Sequence, residues 1–306
     1  MEDSRVLERA KLLYEEYKKT RNIEKLEEAI RLLQDRKDVL SLNQLGLLYL
    51  EKGENKKAIG CFEEALKKAK SSDDKNIINF NLALALYREK DLVRAYEILR
   101  QLSNTSLKTH AQRLLAKVCL SFGDIKHVEE ARAILEGFDE PNEDLIVAYI
   151  FLGRNTSNKK DYLDKAVKYA ELLKNKRLLA EALISYDDKE KIERALELFR
   201  ELKDVKGEAR ALYKLSYYKP ELLYEALQKL EEAGEGTAQD KIKLLNELYK
   251  RTGIVDFLKQ AISIAEKEDE YLFLARAYVE LSKKENELEN LRKAVMYYEE
   301  FIKKRL

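Results

Sequence analysis

Proline is nearly absent from this 306-residue chain, with two residues, and glycine is scarce, with ten. Both interrupt helices and build turns, so connections must be short and most of the chain must be helical. Cysteine occurs twice, at Cys61 and Cys119, in no metal-binding or redox spacing. Each reads as a small buried side chain. The two histidines, His110 and His127, are too far apart to hold a metal from one helix and read as surface or groove residues. No apolar run approaches the ~18–20 residues that span a bilayer. Met1-Glu2-Asp3-Ser4 is acidic and leads into an amphipathic helix, so no signal peptide is expected, and the cytoplasm is the expected compartment. Gly-rich phosphate loops, Gly-x-Ser-x-Gly elbows and Cys-x-x-Cys pairs are missing. Acidic neighbours such as Glu15-Glu16, Glu129-Glu130 and Glu231-Glu232 point about 100° apart on a helix and form solvated faces. No enzyme, cofactor or metal is expected.

An excess of one charge is missing too: Lys+Arg 58 against Asp+Glu 57 leave +1. A chain held to phosphates needs a basic surplus, so nucleic acid is disfavoured as a partner. What is abundant is Leu, Ala, Glu and Lys, within 45% hydrophobic and 38% charged residues. That composition predicts an all-α fold. The heavy use of Glu and Lys fits the surface chemistry of proteins from very hot environments.

The stretch Leu42-Asn43-Gln44-Leu45-Gly46-Leu47-Leu48-Tyr49, with Gly53, Ala58, Phe62 and Ala65, predicts two helices. They run from about Asp38 to Lys52 and from about Asn55 to Lys70, joined at Gly53. Apolar residues recur at three- and four-residue steps, on one face of each. Glu63 before Lys67 and Glu64 before Lys68 have the favourable i,i+4 order.

Leu45, Gly46, Tyr49, Gly53, Ala58, Phe62 and Ala65 resemble the signature of tetratricopeptide repeats, a family of 34-residue helix pairs. Small residues at Gly46 and Ala58 would let the two helices approach, with Tyr49 and Phe62 filling the space around them. Further units carry Leu82, Ala83, Leu86, Ala95 and Leu99, then Ala116, Cys119, Gly123 and Ala131, leaving through Glu140-Pro141-Asn142. One alanine per unit marks the second helix: Ala29, Ala58, Ala95, Ala131, Ala166, Ala195, Ala226, Ala261 and Ala294. An aliphatic residue stands three positions earlier in every case except Asn55. The steps average about 33, near the family period.

The resemblance implies an α-α superhelix, a solenoid of about nine antiparallel helix pairs and a single domain over 1–306. The expected units are 4–34, 38–70, 76–102, 107–137, 142–174, 177–202, 205–233, 238–267 and 270–304. A shortened first helix is expected at Arg177 to Tyr186. Gly234-Glu235-Gly236-Thr237 reads as a hinge or as an ordinary helix cap and loop. Pro220 is expected in the first turn of a helix. The helix from about Leu288 to Lys304 carries Val295, Met296, Tyr298, Phe301 and Ile302, more apolar surface than one inner face needs. It reads as a closing cap or as the contact of a homodimer.

By the same resemblance, the groove-facing positions are Leu40, Asn43, Leu47, Leu50, Ile77, Phe80, Leu84 and Tyr87, followed by His110, Arg113, Lys117 and Leu120. They form an apolar stretch passing into a basic one, suited to an amphipathic helix with an acidic end. They could equally be core covered by neighbouring helices. Chaperone-binding members grip a peptide carboxylate with basic and amide residues. Here those positions hold Asn43, Leu47, Asn81, His110 and Leu114, of which Asn81 alone matches, so a chaperone tail is not expected. The leading functional reading is a non-enzymatic scaffold for a protein or peptide. RNA binding, as in similar helix-pair proteins, and a self-associating structural subunit are the alternatives.

Overall fold

The computed structural model describes residues 2–138, 140–234 and 236–305. Among them are eighteen α-helices and no strand. The chain divides into two compact units, 1–159 and 160–306.

The first unit contains α1 (Glu2–Thr20), α2 (Ile23–Leu33), α3 (Val39–Lys52), α4 (Asn55–Lys68), α5 (Ser72–Glu89), α6 (Leu92–Gln101), α7 (Lys108–Phe122), α8 (Ile125–Glu136) and α9 (Glu143–Asn155). A 3-10 turn, Leu102–Asn104, follows α6. The pairs α1/α2, α3/α4, α5/α6 and α7/α8 pack together, and each second helix also packs on the first helix of the next pair.

The second unit contains α10 (Lys159–Leu172), α11 (Lys176–Leu183), α12 (Lys189–Glu201), α13 (Val205–Leu215), α14 (Leu222–Ala233), α15 (Ala238–Thr252), α16 (Val255–Lys267), α17 (Tyr271–Ser282) and α18 (Glu287–Lys303). From α11 onward, each helix packs on its successor. The shortened first helix is α11, of eight residues. Segment 234–237 lies within this unit, and Gly234 caps α14. Its Glu235 lies outside the described residues, as does Met1 of the acidic start.

Local chemistry sets the helix ends. Asp38 accepts the N–H of Ser41 at 2.9 Å, satisfying a donor the new helix cannot use. Gly53 closes α3 with φ 83°, the left-handed conformation glycine adopts without penalty. Lys90 performs the same closure on α5 with φ 71°. Arg21, Lys174, Lys203, Asp269 and Asn286 also adopt positive φ between helices, so turns form where the sequence offers no glycine. Pro220 corrects an expectation. Helix α14 starts at Leu222, and the Pro220 carbonyl accepts the Leu223 N–H at 3.1 Å. Proline therefore sits in the turn leading into the helix.

Packing explains the alanine periodicity. All nine marker alanines are at most 2 % exposed, so each is enclosed inside the helix packing. Six of the eight aliphatic residues three positions earlier are buried, from Leu26 to Leu258. Leu92 is half-buried, and Leu291 is exposed. A Cβ on Gly46 would lie 2.5, 2.7 and 2.9 Å from ring carbons of the fully buried Phe62, so α3 and α4 meet at that glycine. Gly207 on α13 stands against the Phe199 ring of α12 in the same way. That second contact joins successive pairs and was not apparent from the repeat pattern.

A polar device recurs at the far ends of the first helices. Arg88 donates to the Leu50 carbonyl at 2.9 Å, Lys214 to the Tyr186 carbonyl at 3.0 Å and Arg251 to the Ser216 carbonyl at 3.0 Å. In each case a cation from one pair binds a carbonyl at or just past the C-terminal end of the preceding first helix, where the dipole is negative; the Leu50 carbonyl also accepts the Gly53 N–H at 3.1 Å.

Candidate functional site

In the first unit α3, α5, α7 and α9 touch in succession. Their side-by-side placement brings the predicted groove residues onto neighbouring helices. Leu40 and Ile77 are exposed. Leu47, Phe80, Leu84 and Tyr87 are half-buried. Leu50 is buried, and its carbonyl receives Arg88. This apolar strip is therefore partly open rather than uniformly core or uniformly surface.

Its polar members are engaged with each other. Asn81, the residue that matches the carboxylate clamp, is nearly buried and donates Nδ2 to Oδ1 of Asn43 at 2.9 Å. The amide pair ties α5 to α3. The exposed His110 presents its ring to the edge of Phe80, with centroids 6.3 Å apart. Arg113 lies 3.6 Å from Glu140 and over the Phe138 ring, and Lys117 lies 3.9 Å from Asp144. The predicted basic end thus carries its own counter-ions. Both cations remain half-exposed, where such pairs contribute little and exchange readily.

The anticipated surface pairs divide in the same manner. Glu64 holds Lys68 at 3.0 Å, but Glu63 is held by Arg94 of α6 at 2.6 Å. Cross-pair electrostatics here displace the local i,i+4 pattern.

The second unit adds features that the repeat pattern did not single out. A cavity of about 410 Å³ lies along α15 and α17, with Asn246, Lys250, Phe273, Arg276 and Glu280 in its wall. Another, of about 450 Å³, is bordered by α10 and α12. Its charges face one another: Tyr186 donates to Asp164 at 2.6 Å, and Arg194 meets Glu171 at 3.0 Å. The signal for the first was Asn246 and Lys250 at a four-residue step. Without the helix register, it could not be separated from an ordinary charged face.

Thiol chemistry is suppressed. Burial, as the largest cause, pushes the Cys61 thiol up to about 11 and the Cys119 thiol up to about 12. Neither is a thiolate near neutrality. His127 stacks on Phe122 with centroids 4.2 Å apart and meets Asp124 at 2.6 Å, the residue that also caps α8. Among the described residues, no group of three or more His, Cys, Asp or Glu could hold a metal ion, and no helix is long and apolar enough to cross a membrane.

Comparison with known proteins agrees with this architecture. The family model of anaphase-promoting complex, cyclosome, subunit 3 matches residues 51–138. The crystal structure of the apo form of RapI shares 16% identity and a TM-score of 0.63, covering 98% of this chain and 97% of that one. A Rap protein complexed with competence and sporulation factor shares 15% identity and a TM-score of 0.44, covering 99% and 97%. The TPR domain of P58(IPK) shares 16% identity and a TM-score of 0.28, covering 96% and 88%. No curated protein matches the sequence. Helix pairs, small-residue contacts and the RapI likeness together identify the fold: the chain is a tetratricopeptide-like helical-repeat protein.

Proposed function

We propose that the chain is a non-enzymatic interaction scaffold, holding a peptide, a helix or a protein surface against α3, α5 and α7. The observation that carries this reading is the partly open apolar strip on adjacent helices. Leu40 and Ile77 offer exposed aliphatic surface, and Phe80, Leu84 and Tyr87 offer shallower contacts beside them. Exposed apolar surface rimmed by polar groups is typical of docking sites. An amphipathic helix would set residues at i, i+3, i+4 and i+7 into such a strip. An acidic residue at one end would exchange with Glu140 or Asp144 for Arg113 and Lys117, which adds selectivity more than affinity. A cytoplasmic setting belongs to the same proposal.

The test is selection of peptides from a displayed library, followed by fluorescence anisotropy with the selected sequences. Leu40→Asp with Ile77→Asp should weaken binding at least roughly tenfold, about 1.4 kcal/mol. Helix content and melting should stay unchanged, because both side chains already face water. Phe80→Ser and Leu84→Ser should reduce binding further. If those two variants lose folding instead, the half-buried residues are core, and the strip shrinks to Leu40 and Ile77. Binding that ignores the double aspartate variant removes this face from consideration. Salt-sensitive retention of RNA would redirect the reading to nucleic acid.

A further inference from the structure

Of the twenty large apolar side chains that are exposed among the described residues, six lie on α18. Five of them, Leu288, Leu291, Val295, Tyr298 and Ile302, are 37 to 66 % exposed and follow a strict three-four-three-four spacing. At 100° per residue they occupy an arc of about 80°. Ala294 and Asn290, which are buried, lie beyond the Tyr298 edge of that arc, about 40° and 80° from it. Helix α18 therefore has a broad apolar surface, one flank packed on α17 and the adjoining flank open. An a/d seam of this kind is the pattern of a helix that packs against another helix.

Charge selects the partner. Arg292 and Glu299 are both exposed and flank the same edge of the seam. The nearby Glu289 and Glu300 are taken by Lys293 at 3.0 Å and Lys303 at 2.8 Å. Arg292 and Glu299 form no ion pair among the described residues. We infer that α18 pairs with α18 of a second copy of this chain, antiparallel and about a two-fold axis. In that register Leu291 meets Ile302 of the second copy, and Val295 meets its Tyr298, with the symmetric contacts repeated. Arg292 then lies beside Glu299 of the other chain, twice. The surface is self-complementary, as a two-fold contact requires. The exposed seam, on the order of 500 Å², is smaller than the ~800 Å² per partner of a stable interface, so the pair forms and separates with concentration.

Sedimentation velocity of the full chain over a range from roughly 1 to 100 µM tests this. The expected result is a rise from the mass of one chain to that of two. Val295→Lys should remain a single chain throughout with an unchanged melting curve, since the position is exposed. Arg292→Glu alone and Glu299→Arg alone should each weaken association roughly tenfold. The double variant Arg292→Glu with Glu299→Arg should restore it to within about twofold of the parent. A parallel pair would instead set residue 292 against Glu287, and the double swap would then stay weak, which overturns the antiparallel arrangement. A parent chain that stays single at every concentration overturns the proposal and leaves the seam to a different helix. A dimer insensitive to Val295→Lys overturns it as well.

Discussion

Gly46→Ala and Gly60→Ala are the same chemical change on two adjacent helices, and the structure gives them opposite signs. Both glycines are inside helices, α3 and α4, where alanine is favoured over glycine by about 1 kcal/mol. At Gly60 no atom lies within 4 Å of the new methyl group, so the full helix gain should appear. At Gly46 the methyl would meet three ring carbons of Phe62 at 2.5 to 2.9 Å. Phe62 is fully buried and cannot swing into solvent, so helix or ring must shift at a cost of about 1–3 kcal/mol. Gly60→Ala should therefore stabilise the α3/α4 pair by up to ~1 kcal/mol, and Gly46→Ala should leave it neutral to about 2 kcal/mol less stable. The difference between the variants cancels helix propensity and isolates the contact. Amide hydrogen exchange on α3 and α4 is the suitable assay, because a repeat array need not unfold in one step. Phe62→Leu in the Gly46→Ala background should recover stability beyond additivity. Equal stabilisation by the two alanines would refute the close approach.

Three further outcomes follow from the packing and electrostatics. Ala58→Leu and Ala95→Leu should each cost about 1–3 kcal/mol by overpacking a closed helix contact, measured by chemical denaturation. Lys90→Gly should stabilise by roughly 0.5–1 kcal/mol, because Lys90 now bears the left-handed penalty that Gly53 avoids, provided its melting is compared with a Lys90→Ala control. Stability should hold up to about pH 10 and fall above it. Burial first, then the bond to Glu51, pushes the Tyr14 hydroxyl up to about 12, and the same causes raise Tyr278 beside Glu266. These groups stay protonated in the folded chain while the unfolded chain loses protons, so rising pH favours unfolding. Melting temperatures across that range should show a shallower fall for Tyr278→Phe than for the parent.

The fold was legible because its main constraint is steric and local. Wherever two helices cross closely, only a small side chain fits, so alanine recurs once per pair from Ala29 to Ala294. The turns were harder to read. Lys90, Lys174, Lys203, Asp269 and Asn286 are exposed and adopt a conformation usually announced by glycine; after the first four, the next N–H closes the preceding helix by bonding a carbonyl five residues back. Gly207 was missed because its partner, Phe199, belongs to the preceding pair rather than to its own. On the candidate face, register shows which way a side chain points but not whether a neighbour shields it. Leu40 and Leu50 are ten residues apart on one expected face, yet one is exposed and the other buried. The counter-ions of Arg113 and Lys117 arrive from Glu140 and Asp144, a whole repeat later, and no local pattern predicts them.

The carbonyl contacts of Arg88, Lys214 and Arg251 give the array a direction. In each, the carbonyl that gains the bond lies 28 to 38 residues before the cation that supplies it. Loss of a later pair removes one acceptor contact from an earlier turn, whereas loss of an earlier pair returns one long cation to water. Neighbour coupling in the array is therefore unequal along the sequence. During synthesis, the second bond to the Leu50 carbonyl waits until Arg88 has emerged, so at these three turns a following pair adds to a cap that forms locally.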